Sequence, residues 1–128
     1  MNVVDSSGWI EFLGGGANAD FFTAAISDVS RLVVPTISVF EVCRWTRREL
    51  GARQALEAMA LMQQGRIIAL DATLAMNAAR LSLDLKLPMA DSIVLATARA
   101  HNAVLWTQDD DFEGLDGVKY VAKKKGGK

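Results

Sequence analysis

Short apolar runs alternate with longer amphipathic stretches along this chain. Each run is three to five residues long and is closed by a polar or turn-forming residue, which is typical of buried β-strands. The stretches between them carry apolar residues at helical spacing, as Leu74, Ala78, Leu81 and Leu85 do. The pattern predicts strands at residues 2–4, 32–34, 66–70, 103–107 and 118–121, and helices at residues 6–13, 18–28, 36–50, 52–64, 71–86 and 90–102.

Strands that alternate with helices predict an α/β fold with a mainly parallel sheet of four to five strands. A chain of 128 residues favours one domain, which we place at residues 1–122. Residues 123–128 contain only lysine and glycine, and this composition predicts a disordered basic tail.

Composition narrows the function classes. The chain has 14 basic and 15 acidic residues, so its net charge alone does not indicate a nucleic-acid partner. The single cysteine, Cys43, excludes an internal disulfide and a thiolate zinc site. There is no signal peptide and no apolar run long enough for a membrane span, so we expect a cytoplasmic protein without a membrane partner. The 51% of hydrophobic residues hints at an interface with another chain.

The predicted topology brings four acidic residues to one edge of the sheet. Asp5 follows the first strand directly, and Asp109 follows the fourth strand after a short step. Carboxyl ends of parallel strands share the edge at which open α/β folds bind ligands. Glu41 and Asp91 lie near the start of helices that begin at this same edge.

A cluster of this kind requires a counter-charge. Two carboxylates ~4 Å apart repel each other by about 4 kcal/mol at an effective dielectric constant of ~20. Protonation or a bound cation relieves this repulsion. Oxygen donors without histidine or cysteine suit Mg²⁺ or Mn²⁺, and such an ion activates water for attack on a phosphodiester. The four acids therefore point to a metal-dependent nuclease.

Each acid also has a purely structural interpretation. Asp5 can cap the first helix, Asp91 can complement a helix dipole, and Glu41 can be a solvated helix residue. Asp109 can belong to a hydrophilic loop over residues 108–117. The interpretation as a site depends on all four sharing one edge.

Four segments of the chain resemble the PIN-domain nucleases, especially the VapC-type toxins of toxin–antitoxin pairs. The resemblance covers nearly the whole chain, and the four segments occur in the family's order. They are Val3-Val4-Asp5-Ser6-Ser7, Pro35-Thr36-Ile37-Ser38-Val39-Phe40-Glu41, Leu87-Pro88-Met89-Ala90-Asp91-Ser92-Ile93 and Leu105-Trp106-Thr107-Gln108-Asp109-Asp110-Asp111-Phe112.

The resemblance implies a three-layer α/β/α fold, endoribonuclease activity with Mg²⁺ or Mn²⁺, and inhibition by a cognate antitoxin. It carries metal binding and water activation over to Asp5, Glu41, Asp91 and Asp109. Asp111 matches a fifth acid of the family, and Ser7 and Thr107 match hydroxyl groups that support the site.

Two further expectations concern partners. Arg44 and Arg48 share the helix face of Glu41, so they form either a stripe that contacts RNA phosphates or a solvated surface paired with Glu49. The apolar surplus predicts a homodimer and an antitoxin groove, for which Trp9, Phe12, Trp45 and the helix at residues 52–64 are candidates.

Two other functions remain as alternatives. One is a catalytically inactive PIN-like domain that serves as an RNA-binding or scaffold module. The other is an aspartate-based phosphatase with Asp5 as its nucleophile, although such enzymes have a second acid where this chain has Ser7.

Overall fold

The computed structural model describes residues 1–124, which contain five strands and six α-helices in the predicted order. None of the helices within these residues has the length and apolar character needed to cross a membrane. The strands are β1 (Asn2–Val4), β2 (Leu32–Pro35), β3 (Arg66–Ile68), β4 (Val104–Thr107) and β5 (Val118–Tyr120). The helices are α1 (Ser6–Leu13), α2 (Ala19–Ser27), α3 (Thr36–Glu49), α4 (Ala52–Met62), α5 (Ala72–Leu85) and α6 (Met89–Ala100).

Most differences from the predicted boundaries are one or two residues. The pattern predicts the third strand through Leu70, whereas the strand ends at Ile68 and Leu70 is 43% exposed. The basic tail falls only partly within the described chain. Lys123 and Lys124 follow β5 without regular structure, and residues 125–128 lie outside the described part.

The five strands form one sheet in the order β3-β2-β1-β4-β5. All four pairs of neighbouring strands are parallel, so every strand ends at the same edge of the sheet. The predicted α/β class is therefore confirmed.

Helices cover both faces of this sheet. Val4 and Val34 pack on one side with residues of α1 to α4, whereas Val3 and Val33 pack on the other with α6. Because successive strand residues point to opposite faces, two adjacent valines on one strand serve two separate cores. Helix α5 packs outside α6 through Leu74 and Ala78. The result is the predicted three-layer α/β/α arrangement.

Helix α1 lies too close to its neighbours for a side chain at Gly8. A Cβ added there would come within 2.5 Å of the Phe22 ring and 2.8 Å of a Val4 methyl group. The next residue, Trp9, is completely buried in the same core. The suggestion that Trp9 belongs to a partner surface is therefore wrong, because the close packing of α1 on α2 encloses its ring.

The predicted acidic loop at residues 108–117 contains a structured turn. Residues Asp110–Phe112 form a single turn of 3-10 helix, and the Phe112 side chain is fully buried in the core beneath α6. Because Phe112 anchors this turn, the backbone that carries Asp109 and Asp111 is held in place.

Candidate active site

The four acids predicted from the sequence all lie at the edge where the strands end. Asp5 follows β1, and Asp109 lies two residues beyond β4. Asp91 is in the first turn of α6, and Glu41 is in the second turn of α3. The backbone positions of the four acids therefore match the prediction. How closely the acids approach each other depends on their side chains.

The tightest group consists of Asp91, Asp109 and Asp111. One carboxylate oxygen from each residue lies within 4.8 Å of the other two. The Asp111 backbone N–H also donates a 3.0 Å hydrogen bond to Oδ1 of Asp109, which fixes one acid relative to the other. Three oxygen donors without nitrogen or sulfur are suited to Mg²⁺ or Mn²⁺. The residues present therefore fit the predicted metal.

Asp5 lies beside this group but is held in a buried position. Its side chain is 4% exposed, and its Oδ2 accepts hydrogen bonds from Ser7 Oγ (2.7 Å) and Thr107 Oγ1 (3.0 Å). Burial raises the pKa of Asp5, the hydroxyl donors lower it, and the negative charge of Asp109 raises it further. The Asp5 side chain makes no capping hydrogen bond to α1, so helix capping does not account for it.

Thr107 connects two of the acids through one hydroxyl group. Its Oγ1 donates to Asp5 and accepts the Asp109 backbone N–H at 2.9 Å. Thr107 is fully buried as the last residue of β4, so its position is set by the sheet. The two hydroxyl residues matched by the family resemblance, Ser7 and Thr107, both contact the Asp5 carboxylate.

Glu41 stands outside the three-acid group and is oriented by a residue that the sequence did not reveal. Ser6, the first residue of α1, donates from its Oγ to Oε1 of Glu41 at 2.6 Å. This contact joins helix α3 to the segment that follows Asp5. A serine next to a candidate aspartate is the only sequence signal, and it does not identify Glu41 as the acceptor.

Asp91 is a second acid whose protonation is strongly altered. Burial raises the pKa of Asp91 to about 8, and the charges of Asp109 and Asp5 and a hydrogen bond with Asp111 act in the same direction. Repulsion between neighbouring carboxylates is expected to have this effect when no cation neutralises them. Without a metal, the site therefore retains a proton near neutral pH.

A network of buried amide groups next to the site is a second feature that the sequence did not predict. Asn18 Nδ2 donates to Gln108 Oε1 and to the Ala122 carbonyl, both at 3.0 Å. Gln108 Nε2 in turn donates to Glu11 Oε1 at 3.3 Å. The network joins helix α1, the start of α2 and the segments after β4 and β5. Because its members are distant in sequence, no local pattern predicts it.

The two arginines predicted to contact RNA do not enter the acid cluster. Arg44 and Arg48 are both exposed on α3. Arg48 Nε donates to Glu49 Oε2 at 2.8 Å, and this pair is exposed to solvent. An exposed pair of this kind contributes little to stability, so the arginine can exchange its partner for a phosphate at small cost.

Comparisons with solved structures agree with this fold. The closely matching solved structures include a toxin-antitoxin complex from Klebsiella pneumoniae, with a TM-score of 0.80 and 24% identity over 93% of this chain and 96% of that chain. The toxin VapC20 from Mycobacterium tuberculosis matches with a TM-score of 0.75 and 20% identity over 91% of this chain and 95% of that one. VapBC2 from Rickettsia felis, bound to promoter DNA, matches with a TM-score of 0.72 and 12% identity over 94% of this chain and 97% of that one.

Sequence comparison gives the family directly. No curated protein sequence matches the chain significantly. The family model for the PIN domain matches residues 3–118, a span that includes all five candidate acids. The resemblance predicted from the four segments is confirmed, and the chain belongs to the PIN domain family.

Proposed function

We propose that this chain is an endoribonuclease that depends on a divalent ion, Mg²⁺ or Mn²⁺. Its catalytic acids are Asp5, Glu41, Asp91 and Asp109, with Asp111 as a further metal ligand. The observation that carries the proposal is the convergence of three carboxylates within 4.8 Å at the carboxyl edge of the sheet. A site that concentrates negative charge in this way is suited to bind a cation. The bound cation can then neutralise charge on a polyanionic substrate.

The residues around the proposed ion have separate roles. Asp91, Asp109 and Asp111 would hold the ion, which when bound would supply Lewis-acid activation of water and charge neutralisation at the phosphate. Asp5 completes the acidic site and is kept in place by Ser7 and Thr107. Glu41, oriented by Ser6, accepts hydrogen bonds at the rim of the site and positions the reacting groups.

RNA is the proposed substrate for two reasons. The Mycobacterium tuberculosis relative is described as a toxin that cleaves the sarcin-ricin loop, which is an RNA element. In this chain, Arg44 and Arg48 lie on the helix that carries Glu41, where they can contact phosphates that flank the scissile bond. We propose that the protein acts on such RNA in the cytoplasm.

Cleavage assays with purified protein test the proposal. We expect single-stranded or looped RNA to be cut in Mn²⁺ or Mg²⁺ and left intact in EDTA. The products should carry 5′-phosphate and 3′-hydroxyl ends, because water attacks the phosphorus in place of the RNA's own 2′-hydroxyl. End-labelled RNA mapped by mass spectrometry measures this. Products with 2′,3′-cyclic phosphates would contradict the mechanism, and RNA binding without cleavage would favour the inactive-module alternative.

We further propose that the enzyme is the toxin of a toxin–antitoxin pair. Similar solved structures are of toxin–antitoxin complexes, including the one from Klebsiella pneumoniae. The carboxylates of the acid cluster can accept hydrogen bonds from an arginine or lysine of an inhibitor. A cavity of about 260 Å³ between α1, α3 and α4, lined by Leu13, Leu50 and Leu61, suits an apolar side chain of the same inhibitor.

The partner proposal predicts growth arrest when the chain is expressed alone. Co-expression of the small protein encoded directly upstream should restore growth, because it covers the acid cluster.

We expect a homodimer in solution, since large apolar residues such as Met76 (66%) and Leu83 (81%) are exposed. Growth curves and light scattering after gel filtration measure both effects. A stable monomer that is harmless in cells would contradict the toxin assignment and leave the nuclease assignment standing.

A further inference from the structure

A second cavity lies directly beside the acid cluster, at the ends of β4 and β5. Its volume is about 270 Å³, slightly below the usual range of small-molecule pockets, which starts near 300 Å³. It shares Asp109 with the proposed metal site, so a ligand here would lie next to the reacting phosphate. The cavity is lined by Gln108, Asp109, Asp110, Tyr120, Ala122 and Lys123.

Tyr120 provides the aromatic wall of this cavity. It pairs in register with Thr107, whose hydroxyl contacts Asp5, so the ring stands one strand away from the catalytic edge. Partial burial and the charges of Glu113, Asp110 and Asp109 raise the pKa of Tyr120. The phenol therefore stays protonated across the neutral range and presents an uncharged ring.

The back of the cavity is held by hydrogen bonds that are already formed. The Gln108 side chain is buried and engaged with Asn18 and Glu11. The Ala122 carbonyl accepts from Asn18, and the Val121 N–H donates to the Thr107 carbonyl at 3.0 Å. The segment after β5 is thus fastened to the loop that follows β4, and the cavity does not have to form when a ligand arrives.

Charge around the cavity selects the part of an RNA strand that can enter. The carboxylates of Asp109 and Asp110 repel a phosphate but not a neutral base. The base face can stack on Tyr120, as bases do on aromatic residues of many single-strand-binding proteins. Lys123 lies at the rim, where its ammonium group can meet the neighbouring phosphate.

From this arrangement we propose that the cavity is a base-binding subsite for single-stranded RNA, next to the scissile phosphate. Tyr120 stacks on the base, Lys123 contacts its phosphate, and Asp110 accepts a hydrogen bond from an exocyclic amino group. The inference rests on the proposed ribonuclease function and assigns part of its substrate recognition. Since uracil has no amino group, adenine, cytosine and guanine are preferred over uracil here.

Tyr120 is the only tyrosine of the chain, which allows a direct test on the unmodified protein. Protein with isotope-labelled tyrosine rings is titrated with hexamers of adenylate, cytidylate or uridylate and followed by NMR. Ca²⁺ replaces Mg²⁺ because it occupies oxygen sites with looser geometry, and electrophoresis checks that the RNA stays intact. We expect the ring resonances to move upfield with adenylate or cytidylate and to move less with uridylate.

Variants separate stacking from other roles of the residue. Tyr120→Ala should weaken hexamer binding and raise KM by about 10- to 100-fold with kcat little changed. Tyr120→Phe keeps the ring and should remain near wild type. Asp110→Asn should reduce the preference for amino-bearing bases, measured as the ratio of the KM values for uridylate and cytidylate. Thermal unfolding of each variant controls for stability.

The outcomes distinguish this inference from the proposed function. If RNA is cleaved while the tyrosine resonances do not move and Tyr120→Ala keeps its KM, the subsite is refuted and the nuclease stands. If the resonances move with hexamers but no RNA is cleaved, the subsite stands and the nuclease is refuted. Resonances that shift with Ca²⁺ alone and do not shift further on addition of RNA would make the cavity part of the metal site and overturn the inference.

Discussion

Replacing Asp91 with asparagine should reduce RNA cleavage by about 10²- to 10⁴-fold. The acid belongs to the three-carboxylate group, and its loss removes a charged metal ligand. Metal ions contribute several kcal/mol of transition-state stabilisation, and each 1.4 kcal/mol corresponds to about a tenfold change in rate. The rate at saturating RNA and Mn²⁺ is the quantity to measure, so that weakened substrate binding does not enter the comparison.

An acid of the same type elsewhere in the chain provides the control. Asp84 is exposed on α5, and Asp84→Asn should leave the cleavage rate unchanged. Asp5→Asn should resemble Asp91→Asn, because Asp5 lies beside the same cluster. Near-normal cleavage by Asp91→Asn in a folded protein would exclude the carboxylate mechanism.

The affinity for Mn²⁺ should fall by about tenfold for each pH unit below 8. The pKa of Asp91 is raised from 3.8 to about 8, so a proton competes with the metal throughout this range. Between pH 8 and pH 6 the apparent dissociation constant should therefore increase about 100-fold. Calorimetric titration with Mn²⁺ at several pH values measures the slope, and a flat profile would show that no proton on Asp91 competes with the metal in this range.

The pH dependence of the stability of the metal-free protein gives an independent check on the raised pKa of Asp91. A raised pKa means that the folded state binds more protons than the unfolded state, so stability falls as pH rises from about 4 to about 8. Asp91→Asn removes this contribution. At pH 8 the variant should have a free energy of unfolding higher by about 1–2 kcal/mol, a value reduced for the partial exposure of the site. The difference should disappear near pH 4, as urea unfolding would show.

The sequence predicts the outline of the site because topology alone brings the acids together. Asp5 and Asp109 follow strands, and Asp91 and Glu41 lie in the first two turns of helices that start at the same edge. A parallel sheet is therefore sufficient to place all four there. Strand and helix types follow from the period of the apolar residues. These features depend on local patterns that do not require knowledge of side-chain contacts.

Local sequence patterns do not predict contacts between distant residues. Ser6 holds Glu41, and Asn18 holds Gln108, through hydrogen bonds that span 35 and 90 residues. The choice of Asp111 over Asp5 for the tightest group follows from the Asp110–Phe112 turn and from the hydroxyl donors that retain Asp5. Trp9 was misplaced because an apolar residue at helical spacing can face either a core or a partner.

The two outer strands of the sheet limit how copies of this chain can associate. β3 and β5 are the edges, and each has only three residues. Each also carries an exposed basic side chain, Arg66 or Lys119. Short, charged edges discourage a second sheet from adding its strands, and they protect the protein against edge-to-edge aggregation. We therefore expect a dimer of this protein to form through its helices, with each five-stranded sheet remaining separate.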